Sequence, residues 1–171
     1  MKVKLKDIAL LALLAALMVV GDGGLEWLPN IHLVGVLIVV ATAVYRVYAL
    51  LPIYVYVFIT GFIGGFALWW IPYIYIWLPL WAAVMLIPKK LSLKIKVPLY
   101  VTAATLHGFL FGTLYAPAQA LMFGLDFKGM IAWIIAGLYF DLIHGLSNLV
   151  LGTLLIYPFI KILKHTDKYA R

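Results

Sequence analysis

Between Arg46 and Lys89 the chain carries no charged residue at all. An uninterrupted run of that length has no place in a soluble core, where an amphipathic pattern must keep one face in water. It fits a chain that crosses a bilayer repeatedly, each crossing needing about 20 apolar residues. The rest of the sequence agrees. The 171 residues are 67% hydrophobic and 11% charged, whereas soluble domains carry about 25% charged residues, and the mean hydropathy is +1.12. The chain reads as an integral membrane protein with no stretch left for a soluble catalytic domain or a nucleotide-binding fold. It contains no cysteine, so neither disulfides nor thiol chemistry enters. The opening "MKVKLKD" looks like the basic start of a signal peptide. No small-residue cleavage site followed by a soluble region appears after it, and a retained first helix is expected.

Divided at charges, prolines and aromatic turns, the apolar sequence gives six segments: 5 to 21, 31 to 46, 50 to 69, 73 to 88, 97 to 116 and 130 to 162. The expected fold is an all-α integral membrane protein, a single six-helix bundle. Pro52 and Pro98 lie near segment starts, where a missing backbone donor costs little, and Pro88 closes the fourth. With six crossings, Lys2, Lys4, Lys6, Arg46, Lys89, Lys90, Lys94, Lys96, Lys161, Lys164, Lys168 and Arg171 share one side, and only Lys128 falls on the other. Cytoplasmic flanks accumulate Lys and Arg, so both termini are expected in the cytoplasm. The net charge of +7 then reads as a topology signature and not as a nucleic-acid surface.

The opposite side carries "GDGGLEWLPNIH", "WWIPYIY" and "APAQALMFGLDFKG". These are too apolar for freely solvated linkers. Two readings stand: an interfacial belt of Trp and Tyr, or loops folded back as a lid over a pocket. Glu26, Trp27, Asn30 and His32 mix hydrogen-bonding and stacking groups within one short connection.

Spacing along the helices adds detail. Small residues four apart mark close helix approach, and Ala12 with Ala16, Gly61 with Gly65, and Gly108 with Gly112 are such pairs. Spacings of three and four return to one face, so Asp141, His144, Gly145 and Asn148 form a polar stripe descending from the outer boundary. At about 1.5 Å per residue, His107 falls near the midplane and Tyr115 near the outer boundary. Trp70, Tyr73, Trp77 and Trp81 form an aromatic stripe on the fourth segment. Ionisable groups inside a membrane face a cavity or a partner. The polar stripe therefore either lines a pocket beside the aromatic one or ties helices together by mutual hydrogen bonding.

Catalysis finds little support. Ser147 is three residues from His144 with no indicated third member or oxyanion hole. His32, His107, His144 and Asp141 could supply metal ligands from separate helices, but without a compact ligand signature. An intramembrane enzyme built on Asp141 and His144, or a stand-alone secondary carrier, remains a competing class, although no repeat between halves indicates a carrier.

Taken together, the six helices with cytoplasmic ends, the first helix "ALLALLAALMVV" with Ala12 and Ala16, the Gly-, Trp- and Pro-bearing first outer loop and the length resemble the substrate-binding S components of energy-coupling factor (ECF) transporters. The segments "LPNIHLVG", "GFALWWIPYIYIW" and "FDLIHGLSN" contribute to the resemblance, which covers essentially the whole chain. It implies capture of a vitamin or vitamin precursor from outside. Docking would follow on a transmembrane coupling subunit that carries two ATP-binding cassette ATPases. No cofactor is implied in this chain, ATP and Mg being expected only in the partners. Ala12 and Ala16 match the docking motif. Glu26, Trp27, Asn30, Trp70, Tyr73, Trp77, Asp141, His144 and Asn148 occupy the regions that contact ligand in that family. Their aromatic and polar mixture suits an aromatic heterocycle, with a larger ligand such as a corrinoid left open.

Overall fold

The structure is a computed structural model that describes residues 5–25, 27–28 and 30–169, with backbone alone at 167–169. The described residues are mostly helical, with no strand among them. Eight α-helices follow in order: α1 Leu5–Gly23, α2 Val34–Tyr45, α3 Leu50–Gly64, α4 Tyr73–Ile76, α5 Leu78–Leu86, α6 Leu93–Phe109, α7 Phe111–Phe123 and α8 Phe127–Tyr169. Short 3-10 turns at Arg46–Ala49 and Leu68–Trp70 link α2 to α3 and α3 to α4.

Four stretches are long and apolar enough to cross a membrane: Val34–Gly64, Leu68–Leu86, Leu93–Phe123 and Phe127–Thr166. α1 is not among them. Its ends carry Lys6, Asp7 and Asp22, which leaves residues 8 to 21 as its uncharged middle, about 21 Å at helical rise.

The first long stretch reverses direction at Arg46. Leu33, just before α2, sits against Gly21 near the end of α1, and the Tyr56 hydroxyl in α3 donates to Asp22 Oδ2 at 2.9 Å. The start of α2 and the middle of α3 thus lie beside the same end of α1, with Arg46 at the far turn. Arg46 has a positive φ of 56°, uncommon for a residue with a side chain. Its surroundings hold it there. The guanidinium donates to the carbonyls of Val84 at 3.4 Å and Met85 at 2.6 Å, and Trp81 Nε1 donates to the Arg46 carbonyl at 3.2 Å. A cation over the last turn of α5 answers carbonyls that have no partner within that helix.

The other boundaries also have local causes. The segment expected over 50 to 69 stops as a helix at Gly64, because Gly65 takes φ 83° and Phe66 and Trp70 fold back against Gly61. The segment at 73 to 88 divides at Trp77 into α4 and α5; Pro79 has no N–H for the Tyr75 carbonyl, and its ring crowds that carbonyl. The fifth segment starts earlier and runs further than 97 to 116, with a hinge at Leu110 between α6 and α7 and a left-handed Gly124 (φ 64°) closing α7. The last segment, 130 to 162, lengthens at both ends into α8. Charges mark where lipid ends, and helices continue past them.

α2 forms the centre. Nine consecutive residues from Val34 to Thr42 are buried, covered by α1, α5, α6 and α8. Trp77, 2% exposed, is the largest fully buried side chain. α8 packs most extensively along α6, and also against α2 and α7. Where α6 and α8 cross, glycines permit contact between backbones: a methyl at Gly108 would meet Gly145 Cα and N at 2.8 Å.

Basic side chains gather at one end of the bundle. Lys6, at the start of α1, donates to the carbonyl of Thr166 in the last turns of α8. Lys96 lies within electrostatic reach of Lys164 and Arg46 and donates to the Lys89 carbonyl at 3.2 Å.

Candidate functional site

At the other end, where α1 and α3 finish, the bundle holds a cavity of about 500 Å³, within the about 300–1,000 Å³ of small-molecule sites. One side is formed by Asp22, Gly23, Leu25, Leu28 and Asn30 from the end of α1 and the connection to α2. Thr60, Ile63 and Gly64 of α3 face it, and Trp69 and Tyr73 from the turn into α4 close another side. Val19, Ile31, His32 and Phe111 complete the lining. Phe111 is the first residue of α7, so the hinge at Leu110 places an aromatic ring against the cavity.

Behind His32 and Phe111 lies a compact aromatic cluster. His32 and His144 have ring centroids 4.5 Å apart, His144 is 4.8 Å from Phe111, and His107 is 6.4 Å from His144. Trp77 stacks on His107 at 5.6 Å and meets the edge of Tyr73 at 5.9 Å and His32 at 6.0 Å. His107 donates from Nε2 to the Ile76 carbonyl at 2.8 Å, since a carbonyl can only accept. That bond answers a carbonyl in the interrupted stretch between α4 and α5. His32 Nδ1, His107 Nδ1, His144 Nε2 and Trp77 Nε1 are buried without a hydrogen-bond partner. Buried polar atoms are ordinarily paired, so four unpaired ring nitrogens in one cluster distinguish this region from the rest of the interior. Among the described residues, no three His, Cys, Asp or Glu side chains are arranged to hold a metal ion.

The residues singled out in the sequence fall into three places. Asn30 and Tyr73 line the cavity, and Trp77 and His144 stand directly behind it. Asn30 takes φ 58°, which Asn tolerates better than other side chains, and its carbonyl accepts from Ser147 Oγ of α8 at 3.3 Å. Asp141 and Asn148 are instead on the seam between α8 and α6–α7. Asp141 Oδ1 accepts from the Gly112 N–H at 2.9 Å. No side chain of its own caps α7, and Asp141 supplies that function from a neighbouring helix. Asn148 is wholly buried and donates from Nδ2 to the Ala104 carbonyl at 3.1 Å. Asp141 Oδ2 and Asn148 Oδ1 have no partner.

Trp70 and Trp27 are in the third place, away from the cavity lining. Trp70 Nε1 donates to the Val57 carbonyl at 2.7 Å, and Trp27 is 75% exposed. Glu26 lies outside the described residues. Ala12 and Ala16 lie on the exposed face of α1, while Leu11, Leu14, Ala15 and Met18 make its buried face. This pair therefore does not pack inside the bundle. The Gly108 and Gly112 pair does, against α8, as does Gly61 against Phe66 and Trp70.

Asp22, Trp69 and Phe111 line the cavity without having been singled out as site residues. Asp22 was legible as an acid at the end of the first segment. Phe111 carried no sequence signal, because the hinge that positions it has no proline or charge at residue 110. The chain matches no protein-family model, no curated protein and no solved structure.

Proposed function

We propose that this chain is the substrate-binding membrane subunit of an importer of the ECF type, taking a small ligand from outside the cell and delivering it through partner proteins. Six crossings give this arrangement: α1, α2, α3, the kinked pair α4–α5, the hinged pair α6–α7, and α8. An even number returns both termini to the basic end, and the Lys6 contact with Thr166 agrees with that. The basic end is then cytoplasmic by the rule for Lys and Arg, and the cavity opens on the outer side.

The observation that carries the reading is the cavity itself, its mixed polar and aromatic lining at the end of the bundle remote from the basic ring. Its aromatic walls suit a flat heterocycle of the vitamin or vitamin-precursor class. A second observation agrees. Ala12 and Ala16 face outward, which offers a smooth strip on α1 for close approach of a transmembrane coupling subunit. ATP hydrolysis belongs to ATP-binding cassette ATPases bound to that subunit.

The test is affinity purification of the tagged chain from its native membrane in mild detergent, followed by native mass spectrometry. The expected result is a bound small molecule of discrete mass on the isolated chain, and a larger complex with a membrane subunit and two ATPases. A chain that purifies with neither partner proteins nor ligand, and that turns over a substrate lost on His144→Ala, would instead establish an intramembrane enzyme.

A further inference from the structure

We infer that the cavity selects planar ligands bearing a positive charge, with Asp22 as the counter-charge; this rests on the reading of the cavity as the binding site. Among its described lining residues Asp22 is the only carboxylate, and there is no Lys or Arg. Arg46, Lys96 and Lys164 gather at the other end of the bundle, and Lys128, at the opposite end of α8, does not line the cavity. An anionic ligand would therefore enter a partly desolvated site facing a like charge and no compensating one, where electrostatic interactions are stronger than in water.

The carboxylate is also oriented. The Tyr56 hydroxyl donates to Oδ2 at 2.9 Å, fixing the group at the wall and leaving Oδ1 for a ligand. Trp69 and Tyr73 pack edge to face at 5.5 Å, and with Phe111 they give the cavity three aromatic rings. The faces of such rings attract a cation and stack on a flat conjugated system. His32 adds a buried ring nitrogen without a partner on the same lining. One carboxylate, several π faces and no cationic side chain match an amidinium, aminopyrimidinium or similar delocalised cation better than a carboxylate- or phosphate-bearing molecule.

Three probes of nearly equal shape isolate the charge: benzamidine, a cation at neutral pH, neutral benzamide, and anionic benzoate. Binding to the full chain in detergent is read from Trp fluorescence and from the thermal unfolding midpoint. Benzamidine is expected to bind at least about tenfold tighter than benzamide, a difference of about 1.4 kcal/mol, and benzoate not measurably. Asp22→Asn should remove the benzamidine preference and leave benzamide affinity unchanged. Benzoate binding as well as benzamidine, or an undiminished preference in Asp22→Asn, overturns the inference while leaving the cavity as the binding site. Failure of all three probes to bind overturns both. If Asp22→Asn does not fold, the order of the three probes on the unaltered chain decides the matter.

Discussion

Gly108→Ala should be among the most damaging single methyl additions in this protein. The new Cβ would lie 2.8 Å from both Gly145 Cα and Gly145 N, and 2.9 Å from Asn148 Nδ2. Backbone atoms cannot rotate away as a side-chain end can. Optimal carbon–carbon separation is about 3.5–4.0 Å, so α6 and α8 must part locally by about 1 Å. Overpacking of this kind costs about 1–3 kcal/mol. The same displacement stretches the Asn148 to Ala104 bond, now 3.1 Å, beyond useful length, and an interhelical bond in a membrane protein contributes about 0.6 kcal/mol on average. The expected loss is therefore about 2–4 kcal/mol. Equilibrium unfolding in mixed micelles, followed by Trp fluorescence and circular dichroism, measures it. Gly137→Ala in the same α8 is the matched control, since nothing lies within 4 Å of a methyl there. That change should be neutral or stabilising by up to about 1 kcal/mol through helix propensity. Equal stability of the two variants would refute the claim that α6 and α8 meet through backbone contact at Gly108.

Three further outcomes follow from the same geometry. Asp141→Ala removes the acceptor for the Gly112 N–H and should cost about 0.5–2 kcal/mol, as loss of a helix cap does; Asp141→Asn, which keeps an acceptor oxygen, should cost less in the same unfolding assay. Asn148→Leu puts a branched apolar group between Gly35 and Gly108 and should lower stability by about 1–3 kcal/mol. Ligand affinity of the folded fraction should change little, and a large affinity loss at unchanged stability would place Asn148 in the binding site. Ala16→Trp, on the exposed face of α1, should leave the unfolding midpoint and ligand binding intact while abolishing co-purification with a coupling subunit. Uptake that continues in that variant would remove the docking assignment.

The apolar segments were legible because lipid imposes a composition that few other environments tolerate. The ends of the helices were less so. Gly65 and Pro79 act through backbone geometry, and their effects depend on which neighbours fold back: Phe66 and Trp70 at Gly61 for the first, and for the second His107, which meets the Ile76 carbonyl where the helix is interrupted. The polar stripe on α8 was visible as a spacing of three and four. What each member does there was not, since Gly112 and Ala104, the partners of Asp141 and Asn148, offer only main-chain groups that no sequence pattern advertises. Asp22 became a cavity residue through the chain reversal at Arg46, which brings Tyr56 back to the end of α1. A carboxylate whose partner is 34 residues away cannot be assigned from its own neighbourhood.

The reversal at Arg46 also constrains how the protein is made. α2 has 12 residues, about 18 Å of helix, shorter than the about 30 Å of hydrocarbon that each of the six proposed crossings must traverse. In the finished bundle it is enclosed by other helices. During synthesis only α1, of the helices that cover it, has emerged before it; α5, α6 and α8 come later. On the proposed six-crossing topology α2 would therefore enter the bilayer together with α3, as a hairpin beside α1 with Arg46 at its tip. Separating α2 from α3 with a long polar linker should strand the shorter helix outside the bilayer, even though every contact of the mature fold would still be encoded.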